Sequence, residues 1–153
     1  MANTYHQIYV QAVFAVKYRA AVIENHWKPK LLAVIGNLIL ETGCKSMIVN
    51  GVEDHIHCFF GLKPSISVSN VMKNAKAKSS KWLNESCYLR NRFEWQEGYG
   101  AFSYSHSDIN NVYSYIQNQE VHHKTQSFRD EYLGLLKRYE VEYDDQYLFE
   151  DLI

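Results

Sequence analysis

The stretch KSMIVNGVEDHIHCFFGL, residues 45–62, holds two apolar, β-branched or aromatic runs joined through Glu53-Asp54. Such runs suit a pleated, half-buried surface and the short polar break suits a turn, so the stretch predicts a β-hairpin with strands over 45–52 and 55–62. On its N-terminal side, residues 5–18 are rich in Tyr, Val, Ile and Phe and predict a first strand, closed by Lys17 and Arg19. Between the two, Leu31, Leu32, Val34, Ile35, Leu38 and Ile39 recur at helical spacing, with Pro29 in the first turn and Gly43 at the end. On the C-terminal side, residues 67–84 return to helical period. Val68, Val71, Met72, Ala75, Trp82 and Leu83 share one arc there, and Ser67 or Ser65 can cap the start. A short aromatic strand over 101–106 follows Gly98 and Gly100, and Ser107 or Asp108 then caps a helix to about Lys124 with a stripe of Ile109, Val112, Tyr113 and Ile116. A shorter helix covers 128–138. The order β-α-β-β-α-β predicts an α+β, ferredoxin-like (RRM-like) antiparallel sheet with helices on one face, followed by C-terminal helices.

The chain has 153 residues, 46% of them apolar and 22% charged, which is ordinary globular composition and excludes a disordered or fibrous chain. Two prolines and seven glycines leave no linker, so one domain over 1–153 is expected, with the sheet core at about 5–106 and an acidic tail at 139–153. Three widely spaced cysteines form no disulfide framework or zinc knuckle and point to a reducing compartment. The N-terminus has no signal pattern, and Gly36 and Asn37 interrupt the longest apolar stretch, so a cytoplasmic chain with no membrane partner is expected.

Sixteen basic residues against seventeen acidic ones leave a net charge of −1, but the charge is unevenly spread. From Tyr139 to Ile153 there are six acids and no Lys or Arg, so residues 1–138 carry sixteen basic residues against eleven acids. Between Lys63 and Arg92, Lys63, Lys73, Lys76, Lys78, Lys81, Arg90 and Arg92 face the single acid Glu85. That is a candidate phosphate-binding surface, to which Lys17 and Arg19 can add; a Lys-rich helix face is also common as plain solvated surface. Lys73, Lys76 and Lys81 fall opposite the apolar arc of their helix.

Two segments carry candidate chemistry. In a strand His55 and His57 point to one side, roughly 7 Å apart along the axis, and can share a metal. A bare H-x-H more often marks two half-exposed histidines on a polar sheet face. Phe59 stands where a histidine-triad nucleotide hydrolase would have a third histidine, and no second H-x-Ser/Thr supports a two-histidine phosphoesterase. On the penultimate predicted helix, Tyr115 and Gln119 lie one turn apart, beside the apolar stripe. A tyrosine hydroxyl, with a reference pKa near 10, needs a cation or a base at the reacting phosphate before it attacks, and a metal held by the histidines supplies that help. Packing aromatic and solvated glutamine are the plain alternatives for these two. Tyr113, about 200° around the helix from Tyr115, is assigned to the apolar stripe.

Taken together, His55-Ile56-His57-Cys58-Phe59-Phe60, the basic helix, Phe93-x-Trp95-Gln96-x-Gly98-Tyr99-Gly100-Ala101-Phe102-Ser103 and Tyr115-Ile116-x-x-Gln119-x-x-His122-His123-Lys124 strongly resemble the single-tyrosine HUH transposases of insertion sequences that move as single-stranded DNA, REP-associated relatives included. The ending Glu142-Tyr143-Asp144-Asp145-Gln146-Tyr147-Leu148 also resembles that family. The resemblance implies that Tyr115 is the nucleophile, that His55, His57 and Gln119 hold one Mg²⁺ or Mn²⁺, and that cleavage leaves a 5′-phosphotyrosine and a free 3′-OH for rejoining. It implies single-stranded DNA with hairpin ends as partner and a homodimer whose active site can be shared between subunits. The basic residues named above would bind the DNA, while the acidic tail would pack away from it or against the partner subunit. Some members carry a histidine at the place of Gln11, a position expected to stand apart from the catalytic set. His122 lies on a face similar to that of Tyr115, and His123 nearer the apolar stripe; both are expected to be structural or DNA-adjacent rather than ligands. A domesticated relative that binds hairpins without cutting is the second reading, and a hydrolase of small phosphoesters a third, disfavoured by the basic helix.

Overall fold

The computed structural model describes residues 4–144. Four strands, β1 (Tyr9–Ala15), β2 (Lys45–Gly51), β3 (His55–Gly61) and β4 (Gly100–Tyr104), form one sheet in the order β2-β3-β1-β4, with every neighbouring pair antiparallel. α1 (Lys28–Glu41) links β1 to β2, α2 (Val68–Glu85) links β3 to β4, and α3 (Ile109–Gln117), α4 (Gln119–His122) and α5 (Phe128–Arg138) follow. This is the predicted α+β, ferredoxin-like arrangement with C-terminal helices. Ser67 caps α2 by accepting from Asn70 N at 3.0 Å. No helix among the described residues is long and apolar enough to cross a membrane.

Strand alternation divides the interior into two layers. Val10, Ala12, Phe14, Ile56, Cys58 and Phe60 face α1 and α2, where they pack with Leu31, Ile35, Val71, Met72 and Leu83. The W-Q-x-G segment belongs to this layer. Trp95 packs edge-on against Phe14 and donates to Ser79 Oγ at 3.0 Å. Val13, Ala15 and Phe59 face the other way, where Val112 and Ile116 of α3 and Phe128 and Leu136 of α5 cover them. The first two helices therefore share one face, and the C-terminal helices close the opposite one.

Three expectations change. The first strand ends at Ala15, because residues 17–19 turn through a single 3₁₀ turn with Tyr18 and Arg19 at positive φ. The helix expected over 108–124 breaks at Asn118 (φ −97°, ψ 24°), and the Asn50 side chain donates to the Ile116 and Gln117 carbonyls at 2.9 and 3.2 Å. That bond satisfies C-terminal carbonyls that a continuous helix would have used itself. Tyr113 leaves the apolar stripe and is 39% exposed, whereas Tyr115 packs against the Phe59 cluster. Of the acidic tail, residues 145–153 lie outside the described residues.

Candidate active site

His55 and His57 point from β3 toward α3 and α5 and are fully buried, with ring centroids 5.2 Å apart. Their outer nitrogens are both held. His55 Nδ1 meets Asp54 Oδ1 at 2.7 Å, and His57 Nδ1 meets Gln11 Oε1 at 2.7 Å. Gln11 Nε2 in turn donates to the Tyr104 hydroxyl at 2.7 Å, which assigns its oxygen to the histidine. With Nδ1–H donating outward, each Nε2 carries its lone pair inward. Gln11 is therefore part of the site, contrary to the expectation that it stands apart.

Glu131 of α5 occupies the centre. Its Oε1 lies 3.2 Å from His55 Nε2, 3.0 Å from His57 Nε2 and 3.0 Å from His123 Nε2. Its Oε2 accepts from the Tyr115 hydroxyl and, at 3.1 Å, from Gln119 Nε2. Gln119 is fully buried, with Oε1 at 3.3 Å from His55 Nε2 and 3.1 Å from His123 Nε2. Tyr115, His55, His57 and Gln119, the four residues singled out in the sequence, thus meet in one place. The structure adds His123 and Glu131, correcting the expectation for His123: it caps the short α4 after the Asn118 break and so turns into the cluster. His122 lies beside the nucleophile candidate, its ring centroid 4.8 Å from that of Tyr115.

The electrostatics follow from burial against this pairing. Burial pulls the His55 imidazole down, but hydrogen bonds to Asp54 and Glu131 outweigh it and raise the net value. For His57 burial wins over Glu131, helped by the neighbouring His55 and His123, and its pKa falls. Burial pushes Glu131 up, yet hydrogen bonds with His123, His55 and His57 hold it well below the usual carboxylate range. Burial and the adjacent Glu131 carboxylate push the Tyr115 hydroxyl well above its ordinary value. Inward lone pairs of the imidazoles facing a carboxylate need a positive charge between them, a proton or a metal ion. His55, His57, His123 and Glu131 present ligand atoms all within 4.8 Å of one another, so the residues present fit a divalent cation.

Glu131 escapes the sequence reading, although a signal exists for it, whereas His123 is weighed there and given a structural or DNA-adjacent place. An acid at position 131 sits at helical spacing within the apolar face of Phe128, Tyr132 and Leu136. Gln11 gives a similar signal, a polar residue inside an apolar strand.

The basic residues lie elsewhere. α2 packs on the sheet face away from the histidines, and Lys81, Arg90 and Arg92 line a groove of about 630 Å³ at its C-terminal end. Lys17, Arg90 and Arg92 line an adjoining cavity of about 290 Å³, with Lys17 and Arg92 near Glu94 at 3.5 and 3.8 Å. Lys78 reaches Glu41 at 4.0 Å and Lys81 reaches Glu85 at 3.9 Å. Lys63 and Lys73 are exposed but line neither cavity, and Arg19 is half-buried in the turn after β1. Lys76 departs from the solvent-facing role read for it: it is half-buried and donates to the Gln96 and Gly98 carbonyls at 2.7 and 2.6 Å.

The family profile described as "Transposase IS200 like" matches residues 4–119, from before β1 through Gln119. The chain belongs to the IS200-like transposases. Two solved structures share the fold of this IS200-like chain. One is described as a putative transposase from Deinococcus radiodurans R1, at 18% identity and TM-score 0.64, covering 78% of this chain and 95% of the other. The second is a REP-associated tyrosine transposase bound to a REP hairpin, at 15% identity and TM-score 0.56, covering 80% and 74%. No curated protein matches the sequence. Membership in a transposase family implies DNA cleavage. Glu131 and His123 of this IS200-like chain lie beyond the matched residues.

Proposed function

We propose that this chain cleaves and rejoins single-stranded DNA at hairpin-bearing ends of an insertion sequence, with Tyr115 as nucleophile. The observation that supports this is the convergence of Tyr115, Gln119, His55 and His57 on the single carboxylate Glu131 within one chain. His55, His57 and Gln119 would hold a divalent metal, to which Glu131 and His123 would add donors. A divalent cation held there supplies positive charge that polarises the scissile phosphate and eases ionisation of the tyrosine. Three imidazoles, a carboxylate and an amide suit Mn²⁺ better than Mg²⁺, which favours oxygen ligands.

Tyr115 Oη attacks phosphorus while its proton passes to Glu131 Oε2, the acceptor already bonded to it. The bond to the 3′ oxygen breaks, and that oxygen takes up the proton that Glu131 received, directly or through water, and leaves as a 3′-OH. The product is a 5′-phosphotyrosine. An incoming 3′-OH later attacks this phosphorus, the bond to Tyr115 breaks, and the hydroxyl regains its proton, so no added nucleotide is consumed. Gln119 Nε2 and Tyr115 share one oxygen of Glu131, which orients the hydroxyl before attack.

The DNA hairpin binds on the opposite sheet face, at the groove of Lys81, Arg90 and Arg92 and the adjoining cavity that Lys17 lines, with Arg19, Lys63, Lys73 and Lys78 as further basic residues outside these two cavities. The REP hairpin in a structure of the same fold supports that partner class. A homodimer is the assembly the family resemblance implies, and within one chain Tyr115 lies beside His57, with ring centroids 6.0 Å apart.

The decisive experiment incubates the protein with labelled single-stranded element-end DNA and Mn²⁺ or Mg²⁺. A covalent adduct that Tyr115→Phe lacks, while retaining hairpin binding, is the expected result. An adduct formed by Tyr115→Phe would overturn the nucleophile assignment, and hairpin binding without any adduct would leave a non-cutting hairpin-binding protein.

A further inference from the structure

Between α3 and α5, directly beside Tyr115, lies a cavity of about 470 Å³ whose walls include Tyr104, Asn111, Gln126, Gly134 and Arg138. That is more space than a phosphate at the tyrosine hydroxyl requires, and it falls within the size range of small-ligand sites. Its wall is chemically mixed. Asn111 and Gln126 bring side-chain amides, each both donor and acceptor, Tyr104 brings a half-buried aromatic ring, and Arg138 brings an exposed guanidinium in the last turn of α5.

Gly134 is the second, independent observation. It sits in the interior of α5, where glycine weakens a helix relative to alanine. Its backbone is not among the positive-φ glycines, so conformation does not require it. A Cβ at this position would meet nothing within 4 Å among the described residues, so crowding does not require it either. What a glycine there preserves is open space in the helix wall, three residues after Glu131 and four before Arg138. Arg138 lies about 10 Å along the helix from Glu131. Arg138 nonetheless lines the same cavity as Tyr115, and its long side chain can swing toward a phosphate next to the one at the tyrosine.

We propose that this cavity seats the nucleotide adjoining the scissile phosphate, its base against Gly134 and the Asn111 and Gln126 amides and its outer phosphate at Arg138. The inference rests on the single-strand cleavage proposed above and extends it: part of the choice of cleavage site is read by protein in this cavity, apart from the hairpin surface on the other sheet face. A base held this way contributes stacking and amide hydrogen bonds, and a missing base forfeits both.

The test uses the full chain with Mn²⁺ and hairpin-bearing element-end DNA, intact or with an abasic residue placed in turn at each position of the single-stranded segment. Binding is read by fluorescence anisotropy and adduct formation on gels. In the wild-type chain an abasic residue at one position adjoining the cleaved phosphate weakens binding about tenfold or more. Gly134→Phe fills the cavity, binds intact DNA as weakly as abasic DNA, and loses the distinction between them. Gly134→Ala melts at a higher temperature than the wild type, which shows that the helix tolerates a side chain there. Arg138→Ala, an exposed change that does not endanger folding, weakens binding of the single-stranded segment and spares the isolated hairpin. A flat abasic profile in the wild type, or an unchanged preference for intact DNA in folded Gly134→Phe, would overturn the inference. If the adduct still forms in either case, single-strand cleavage stands and only the nucleotide seat is lost; a wild-type chain that neither binds nor cuts any end would remove both.

Discussion

A metal-binding histidine almost always has its second nitrogen oriented by a partner, and His57 has one in Gln11, 46 residues away in sequence. The residue looks misplaced in an apolar strand, yet its amide bridges His57 Nδ1 and the Tyr104 hydroxyl. Gln11→Ala is expected to weaken Mn²⁺ binding about 10- to 100-fold, the usual cost of losing such an outer partner. Isothermal titration of the metal into the purified chain checks this, and an affinity equal to the wild type would show that His57 needs no second partner. Four of the central side chains were singled out in the sequence: the strand period places His55 with His57, and Tyr115 and Gln119 stood at helical spacing although the Asn118 break sets them on successive helices. Glu131 and His123 were not, because nothing local in a sequence says that a helix 74 residues beyond His57 folds back over it.

At the scale of elements, the break at Asn118 matters most. A continuous helix would have carried His123 past the site near the apolar stripe, whereas the Asn50 cap ends α3 and lets α4 begin on a new axis. Lys28 fastens that short helix from outside. Its ammonium is buried, donates to the Gly51 carbonyl at 3.0 Å and pairs with Glu120 of α4 at 2.6 Å, joining α1, the end of β2 and α4. Glu120 is largely exposed, so most of the value lies in the buried carbonyl bond rather than in the ion pair. Lys28→Met keeps the aliphatic volume and removes the charge. It is expected to cost about 1–3 kcal/mol, read from urea denaturation, because the Gly51 carbonyl loses a charged donor. The start of α2 was predictable from sequence, since Ser67 caps it through its own side chain, as Ser127 does the start of α5. The end of α3 was not, since its cap comes from β2.

For the molecule as a whole, the sheet separates two tasks. The histidines, Tyr115 and Glu131 lie on one face, and the groove of Lys81, Arg90 and Arg92 lies with α2 on the other. If that groove holds a hairpin, replacing Lys81, Arg90 and Arg92 by serine should flatten the dependence of log K on log salt by about 2–3 units, since each phosphate contact contributes roughly 0.9. Mn²⁺ affinity should not change. A variant with the wild-type salt slope would place the hairpin elsewhere. Near-zero net charge gave no hint of such a surface, because charge acts over about 10 Å at ordinary salt and an average over the chain erases it.

The sequence by itself determined the alternating strands, the two long helices and the pairing of His55 with His57, because these depend on the backbone period within one element, whereas Tyr115 and Gln119 fall on successive helices across the Asn118 break. Only the tertiary structure decided that Glu131 and His123 complete the cluster, that Gln11 orients His57, that Lys76 turns to backbone carbonyls and that Gly134 opens onto Tyr115. Each of those depends on which elements the sheet brings within a few ångströms of one another, and burial there makes a polar side chain seek a partner regardless of its distance along the chain.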